Sequence, residues 1–121
     1  MKLRIRGNSV RFRLTQTETA NLIKNGLVEE KTDFGNGQIF VYAVSALPET
    51  EKIGAVFQNG RIEIQIPLAI AETWATSTEV GISETAHGLQ ILVEKDFNCL
   101  TPRKPEEDAD TFPHPNLDQS C

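Results

Sequence analysis

Five cations and no acid occupy the first thirteen residues, and their spacing could form an anion-binding surface. Apolar residues alternate with these cations in the pattern of half-buried strands, which places the cations on one face of a hairpin. Arginine guanidinium groups bind phosphates and carboxylates through paired hydrogen bonds. We call this set the cationic face: Lys2, Arg4, Arg6, Arg11 and Arg13.

Three interpretations of the cationic face stay open. Arg4 is predicted to lie opposite Arg11, and like charges in that position destabilise a sheet, so a phosphate group or a nucleic acid is one candidate partner. Alternatively, the chain's own acids neutralise the face, either Glu29 and Glu30 or the acidic C-terminal tail. In the third interpretation, the arginines lie in solvent along a sheet edge and deter aggregation.

Other residues with reactive side chains give weaker signals. Cys99, His114 and Cys121, with Asp110, could ligate a metal, but their spacing fits no standard zinc pattern, so no metal site is predicted. His87 falls in a predicted turn, and neither histidine belongs to a recognisable catalytic dyad. No glycine-rich phosphate loop leads into a helix, so no cofactor is predicted either.

Composition predicts one small cytoplasmic domain. The chain has 121 residues and a net charge of −5, which argues against a protein that simply coats nucleic acid. The N-terminus lacks the apolar run of a signal peptide, and no stretch has the apolar length of a membrane span. The two cysteines are therefore expected to be reduced thiols. Acidic residues and prolines are concentrated in the tail, residues 99–121.

Two similar hairpins begin the two halves of the chain. Gly7–Asn8 is predicted to form the turn of the first hairpin, because glycine accepts a positive φ. The pattern recurs 52 residues later, where Asn59–Gly60 favours a type I′ turn and places Phe57 opposite Ile62.

A helix and two strands follow each hairpin. Helix 15–25 opens with a capping box, and helix 67–76 opens with a proline, which suits the first turn of a helix. Leu22 and Trp74 fall at equivalent positions and are expected to anchor the helices to the core. The predicted strands are 27–32 and 38–44 in the first half, and 79–84 and 90–96 in the second.

Each half therefore consists of two strands, a helix and two more strands. Residues 3–44 align with 55–96 without a gap, which favours an internal duplication, although only four aligned residues are identical. Any two ββαββ segments would align in this way, and that alternative stays open. We predict a mainly β, α+β fold in which two pseudo-symmetric ββαββ halves form a compact β-barrel. This domain covers 1–98, and the C-terminal extension covers 99–121.

The second half resembles the swapped-hairpin β-barrel unit of AbrB-type transcription factors. The matching residues are Gly60, Arg61, Ile62, Ile66, Pro67, Leu68, Ile70, Trp74, Glu79, Val80, Ile82 and Ile91. The first half matches less well, because Thr15 replaces the proline. Such units interlock as homodimers, so the resemblance implies an intramolecular pseudo-dimer and a surface that binds nucleic acid.

The whole chain also resembles a family of small bacterial proteins with no assigned function. The resemblance rests on "MKLRIRGNSVRFRLTQTE", "ILVEKDFNCL" and "EEDADTFPHP". It implies that the acidic tail is an integral part of the protein. The resemblance implies no biochemical activity.

These features predict a small, non-enzymatic binding or regulatory protein whose partner is a protein or a nucleic acid. The alternative is a small enzyme or ligand-binding barrel with a site between the two halves. A flat, charged face favours the first class of protein, whereas a pocket with convergent polar groups favours the second.

The acidic tail is expected to mask the cationic face, because the tether raises the effective concentration of the tail. Deleting residues 105–121 should leave the domain folded and increase its affinity for heparin at low salt. The difference should shrink as salt rises, since screening acts over roughly 8–10 Å. Equal affinity of the two proteins at low salt would contradict masking.

Overall fold

A computed structural model describes residues 1–96 of the chain. Within that range it contains eight strands and two helices in the predicted order, which is the expected mainly β, α+β class. The strands are β1 (Lys2–Arg6), β2 (Ser9–Leu14), β3 (Leu27–Gly35), β4 (Gln38–Leu47), β5 (Gly54–Gln58), β6 (Arg61–Pro67), β7 (Gly81–Ala86) and β8 (Leu89–Lys95). The helices are α1 (Gln16–Asn25) and α2 (Leu68–Thr76).

Both predicted hairpins form in the expected register. Arg4 lies opposite Arg11 in the first hairpin, and Phe57 lies opposite Ile62 in the second. The second turn has positive φ at both central residues, 54° at Asn59 and 74° at Gly60, as a type I′ turn requires. Local turn chemistry and alternation therefore fix these two registers.

The helix ends follow local signals, with small shifts in the bounds. The Thr15 side chain accepts from the backbone of Glu18, and the Glu18 carboxylate accepts from the Thr15 backbone, so the capping box forms. Gly26 ends α1 with a φ of 80°. α2 begins at Leu68, because Pro67 still belongs to β6 and serves as the N-cap.

The eight strands form two four-stranded sheets built from both halves of the chain. Sheet A has the order β1-β2-β8-β7, and sheet B has the order β3-β4-β6-β5. Each half therefore gives its first hairpin to one sheet and its second hairpin to the other. The halves meet in two parallel pairings, β2 with β8 and β4 with β6, which we call the seams.

The strand pairing does not confirm the predicted compact β-barrel, because the sheets do not close. Strand pairing among residues 1–96 gives two separate sheets, and β1, β3, β5 and β7 are their edges. The inward faces of both sheets are apolar and bury each other in one core. Packing of side chains between the sheets and under the helices encloses this core without hydrogen bonds between sheet edges.

The constant spacing of 52 residues fails in the second hairpins. At the seams, Val93 lies beside Phe12 and Val44 lies beside Ile64, so Val44 and Val93 occupy equivalent positions. Val44 pairs in turn with Val28, and Val93 pairs with Ile82, which makes Ile82 the counterpart of Val28. The alignment of Val28 with Val80 is therefore wrong. The β3–β4 hairpin is also longer and carries an irregularity between Asp33 and Gly35, a feature that leaves little trace in alternation.

The core lies between the sheets and below the two helices. Leu22 of α1 and Trp74 of α2 are fully buried, which confirms their predicted anchoring role. The Trp74 Nε1–H donates to the Val80 carbonyl oxygen at 3.2 Å, so the indole carries no unpaired donor into the core. Lys95 Nζ lies 5.8 Å from the centre of the Trp74 ring.

Trp74→Ala should lower the free energy of unfolding by about 3–5 kcal/mol, because it leaves a large cavity in the core. Ile70→Ala on the same helix is the matched control, since Ile70 is 40% exposed. It should cost much less in a urea unfolding experiment. Similar losses for the two variants would contradict the anchoring role of Trp74.

Candidate functional site

The predicted cationic face lies on the outer side of sheet A. Val10, Phe12 and Leu14 of β2 are buried in the core, so the alternate residues of this strand point outward. Strand pairing arranges the outward side chains of the sheet in three rows. The rows are Lys2, Arg13, Glu94 and Gly81; Arg4, Arg11, Leu92 and Ser83; and Arg6, Ser9, Gln90 and Thr85.

Acids at the end of β8 neutralise part of this face. Glu94 accepts a hydrogen bond from Arg13 Nε at 3.0 Å and also lies 3.7 Å from Arg11 Nε. Asp96 pairs with Lys2 at 3.3 Å. The chain's own acids thus contribute, as one interpretation expected, but they are not the expected glutamates.

Glu29 and Glu30 pair with residues outside the cationic face. Glu29 pairs with Arg61 at 3.1 Å on the outer side of sheet B. Glu30 accepts from the Tyr42 hydroxyl at 3.2 Å and lies 3.7 Å from the Met1 amine. Consecutive strand residues point to opposite faces, so these two carboxylates do not converge.

Arg4 and Arg6 differ from the other members of the cationic face. Both are exposed on the edge strand β1, and no carboxylate among residues 1–96 pairs with either. Arg4 also faces Arg11, whose contact with Glu94 is long. Within residues 1–96, the β1 edge of sheet A therefore carries positive charge that no carboxylate compensates, and an anion would relieve the repulsion there.

A groove of about 630 Å³ lies beside this charge, over the β2–β8 seam. Ser9 and Arg11 form the wall toward β1, and Ser83 and Thr85 form the wall toward β7. Gln90 and Leu92 of β8 lie between the walls. The first wall comes from the first half of the chain, and the rest of this lining comes from the second.

Several polar groups of the groove lack a partner in the described part of the chain. The side chains of Ser83, Thr85 and Gln90 make no hydrogen bond to any of residues 1–96, whereas the Ser9 hydroxyl donates to the Arg6 carbonyl at 2.7 Å. Hydroxyl and amide groups both donate and accept hydrogen bonds. The groove can therefore exchange hydrogen bonds with a polar ligand.

The outer side of sheet B is different, because a central carboxylate satisfies its polar groups. Glu63 accepts from the Ser45 hydroxyl at 2.8 Å, the Gln65 amide at 3.2 Å and Arg61 Nη2 at 3.1 Å. Arg61 Nη1 then donates to Glu29 at 3.1 Å. We call these residues the Glu63 network; it stabilises the β4–β6 seam from outside.

Burial of the Glu63 carboxyl would by itself raise its pKa. Hydrogen bonds from Ser45, Gln65 and Arg61 favour the charged form more strongly, and they hold the pKa of Glu63 below its ordinary value of 4.5. The carboxylate is therefore ionised at neutral pH and binds its donors as an anion.

No metal centre or membrane span emerges from the described chain. Within residues 1–96, no three His, Cys, Asp or Glu side chains come together where they could hold a metal ion. Neither α1 nor α2 has the length and apolar character needed to cross a bilayer. Cys99, His114, Cys121 and the acidic tail lie outside the described residues, so their predicted roles stay predictions.

Sequence reasoning identified the cationic face but missed the groove. Ser83, Thr85, Gln90 and Leu92 lie at alternate positions of their strands, so their shared outward direction was readable from the sequence. What the sequence did not reveal was the pairing of β8 with β2. That pairing brings these residues beside Arg11.

Glu63→Gln should lower the free energy of unfolding by about 1 kcal/mol at neutral pH, because it removes a charged hydrogen-bond acceptor. The lowered folded-state pKa stabilises the protein above the unfolded-state value, near 4.5, and this stabilisation is lost as pH falls through the folded-state pKa. The difference between wild type and variant in urea unfolding should therefore shrink in acid.

Glu72→Gln, at an exposed position of α2, is the control. A Glu63→Gln protein as stable as wild type at neutral pH would contradict a stabilising network.

Comparison with known proteins gives a family but no function. No curated protein and no solved structure matches the chain. A family of unknown function, DUF7009, matches residues 1–116. The match includes 97–116, so most of the acidic tail is a family feature, as the sequence resemblance implied. It covers nearly the whole chain, and the protein therefore belongs to this family of unknown function, DUF7009.

Proposed function

We propose that the protein is a non-enzymatic binding protein that recognises an anionic partner, a protein or a nucleic acid, through the β1 edge of sheet A. The observation that carries the proposal is the exposure of Arg4 and Arg6 without an acidic partner among residues 1–96. Lys2 and Arg13 are already paired with Asp96 and Glu94. The guanidinium groups of Arg4 and Arg6, which pair with no carboxylate among residues 1–96, can therefore bind carboxylates or phosphates of a partner.

A regulatory role of the AbrB type is the finer form of this proposal. Its support is the exchange of hairpins between the two halves, which is the interlocking that the resemblance implies for two units in one chain. The interlocking leaves the first hairpin, with its cations, on the outer side of a sheet. Duplication of one ββαββ unit would produce this arrangement.

A second candidate function is the binding of a small ligand at a site between the two halves. The groove favours it, because residues of both halves line the groove at the β2–β8 seam. Its side chains include hydroxyls but no histidine or cysteine, so the lining offers no activated nucleophile of the Ser–His or Cys–His type. We therefore propose ligand binding at this site rather than catalysis.

Replacing both Arg4 and Arg6 by glutamine tests the first function. The double variant should bind heparin about 10-fold more weakly than wild type at low salt, with a shallower salt dependence, because two phosphate-type contacts are lost. The matched control is Lys31→Gln with Lys52→Gln, which removes the same charge from exposed positions elsewhere. An equal loss in both double variants, measured by fluorescence titration, would show that only net charge matters and would contradict the proposed surface.

A further inference from the structure

We propose that the groove at the β2–β8 seam binds a small, hydroxyl-rich anion of the sugar phosphate type. The assignment rests on the second proposed function and adds the chemical class of the ligand. The groove volume of about 630 Å³ lies within the usual range for small-molecule sites, roughly 300–1,000 Å³. The polar groups that line the groove, and their order across the sheet, indicate the class of ligand.

The two seams provide an internal comparison. Both join halves by parallel pairing, and both expose outward polar residues of two central strands. At the β4–β6 seam, Glu63 satisfies Ser45, Gln65 and Arg61. At the β2–β8 seam, Leu92 lies next to Arg11 and supplies no charge, and the carboxylate of Glu94, one row away, has Arg13 as its closer partner. Glu84 also lines the groove, but it lies opposite the buried Ile91, at the alternate position of β7 to Ser83 and Thr85. An anionic ligand would supply the acceptor there that Glu63 supplies on the other sheet.

Arg11 is the lining residue suited to hold the anionic group. Its distance to Glu94 is 3.7 Å, whereas Arg13 makes the shorter contact of 3.0 Å with the same carboxylate. Turning Arg11 toward the groove therefore leaves Glu94 paired. Arg4, directly opposite Arg11 on β1, adds positive potential at the same end of the groove.

Hydroxyl and amide groups occupy the opposite end. Thr85 lies beside Gln90, and Ser83 lies beside Leu92, so two hydroxyls and one amide face the ligand from β7 and β8. The β2 and β7 walls are separated by two strand spacings, about 10 Å. A ligand with its anion at Arg11 therefore presents its remaining polar groups to these side chains, which donate and accept as sugar hydroxyls require.

The lining disfavours other classes of ligand. It contains no aromatic side chain on which a nucleic-acid base could stack. Leu92 is the one apolar side chain of this lining that points outward, so a hydrophobic ligand would leave the polar groups of the walls unpaired. A neutral sugar could accept hydrogen bonds from Arg11 but would leave the charge of its guanidinium without a counter-ion.

The test is a titration of the full-length, ¹⁵N-labelled protein with glucose 6-phosphate, followed by amide chemical shifts. Glucose and inorganic phosphate are titrated separately as the two parts of the probe. We expect saturable shifts at Ser9, Arg11, Ser83, Thr85 and Gln90, with an affinity at least about 10-fold higher for glucose 6-phosphate than for either part.

Two variants separate the contributions of the two ends. Arg11→Gln should remove the preference for glucose 6-phosphate over glucose, whereas Thr85→Val should weaken the binding of both. Lys31→Gln and Thr32→Val, on β3 of sheet B, are the matched controls and should bind as wild type does. Equal effects of control and groove variants would overturn the assignment.

The outcomes distinguish the ligand class from the existence of the site. Groove shifts that saturate equally with glucose, or equally with phosphate, would overturn the sugar phosphate class but keep a ligand site at the seam. The absence of saturable groove shifts with all three probes would overturn both the class and the second proposed function. Shifts confined to Arg4 and Arg6 would likewise overturn the groove site, because the anion would then be bound by β1 alone.

Discussion

The parallel pairing of strands from opposite halves is the constraint on which the rest of the structure depends. β2 requires β8 as its second neighbour, and β4 requires β6, so neither half can complete a sheet alone. Each seam also brings apolar rows together, with Phe12 beside Val93 in one and Val44 beside Ile64 in the other. Backbone hydrogen bonds and core packing therefore coincide at the seams, and each half completes its sheets with strands of the other.

The seams also determine what each sheet shows to solvent. Both outer faces combine side chains that are distant in sequence, but only the outer face of sheet B has a carboxylate, Glu63, at its centre. That face satisfies its own polar groups and serves stability. The outer face of sheet A keeps a groove, and its Arg4 and Arg6 have no acidic partner among residues 1–96, so the same topology yields one internally paired surface and one surface that we propose binds a partner.

Charge on sheet A follows a gradient that the strand order creates. The cations lie on β1 and β2, and the acids that pair with them lie at the end of β8. Glu94 pairs with Arg13, and Asp96 pairs with Lys2. The Asp96 backbone N–H also bonds to the Leu14 carbonyl oxygen at 2.8 Å, which fixes this end of the described chain beside the cationic face. Compensation is therefore strong at one end of β1 and absent from Arg4 and Arg6 within residues 1–96.

The sequence by itself determined the local features of this protein. The Arg4–Arg11 register, the Asn59–Gly60 turn, the Thr15 capping box and the buried positions of Leu22 and Trp74 could all be predicted. Each of these features depends on side-chain periodicity or on the conformational preference of a few adjacent residues. Both can be recognised from neighbouring positions in the sequence. The cationic face was predictable for the same reason.

Only the tertiary structure decided which strands pair across the halves. Alternation shows which face of a strand is buried, but it does not identify the neighbouring strand, so two separate sheets and a closed barrel fit the same pattern. The partners of the cations and the groove at the β2–β8 seam both depend on that choice. They are set by contacts between residues about 80 positions apart, such as Arg13 and Glu94, and such contacts leave no mark on the local sequence.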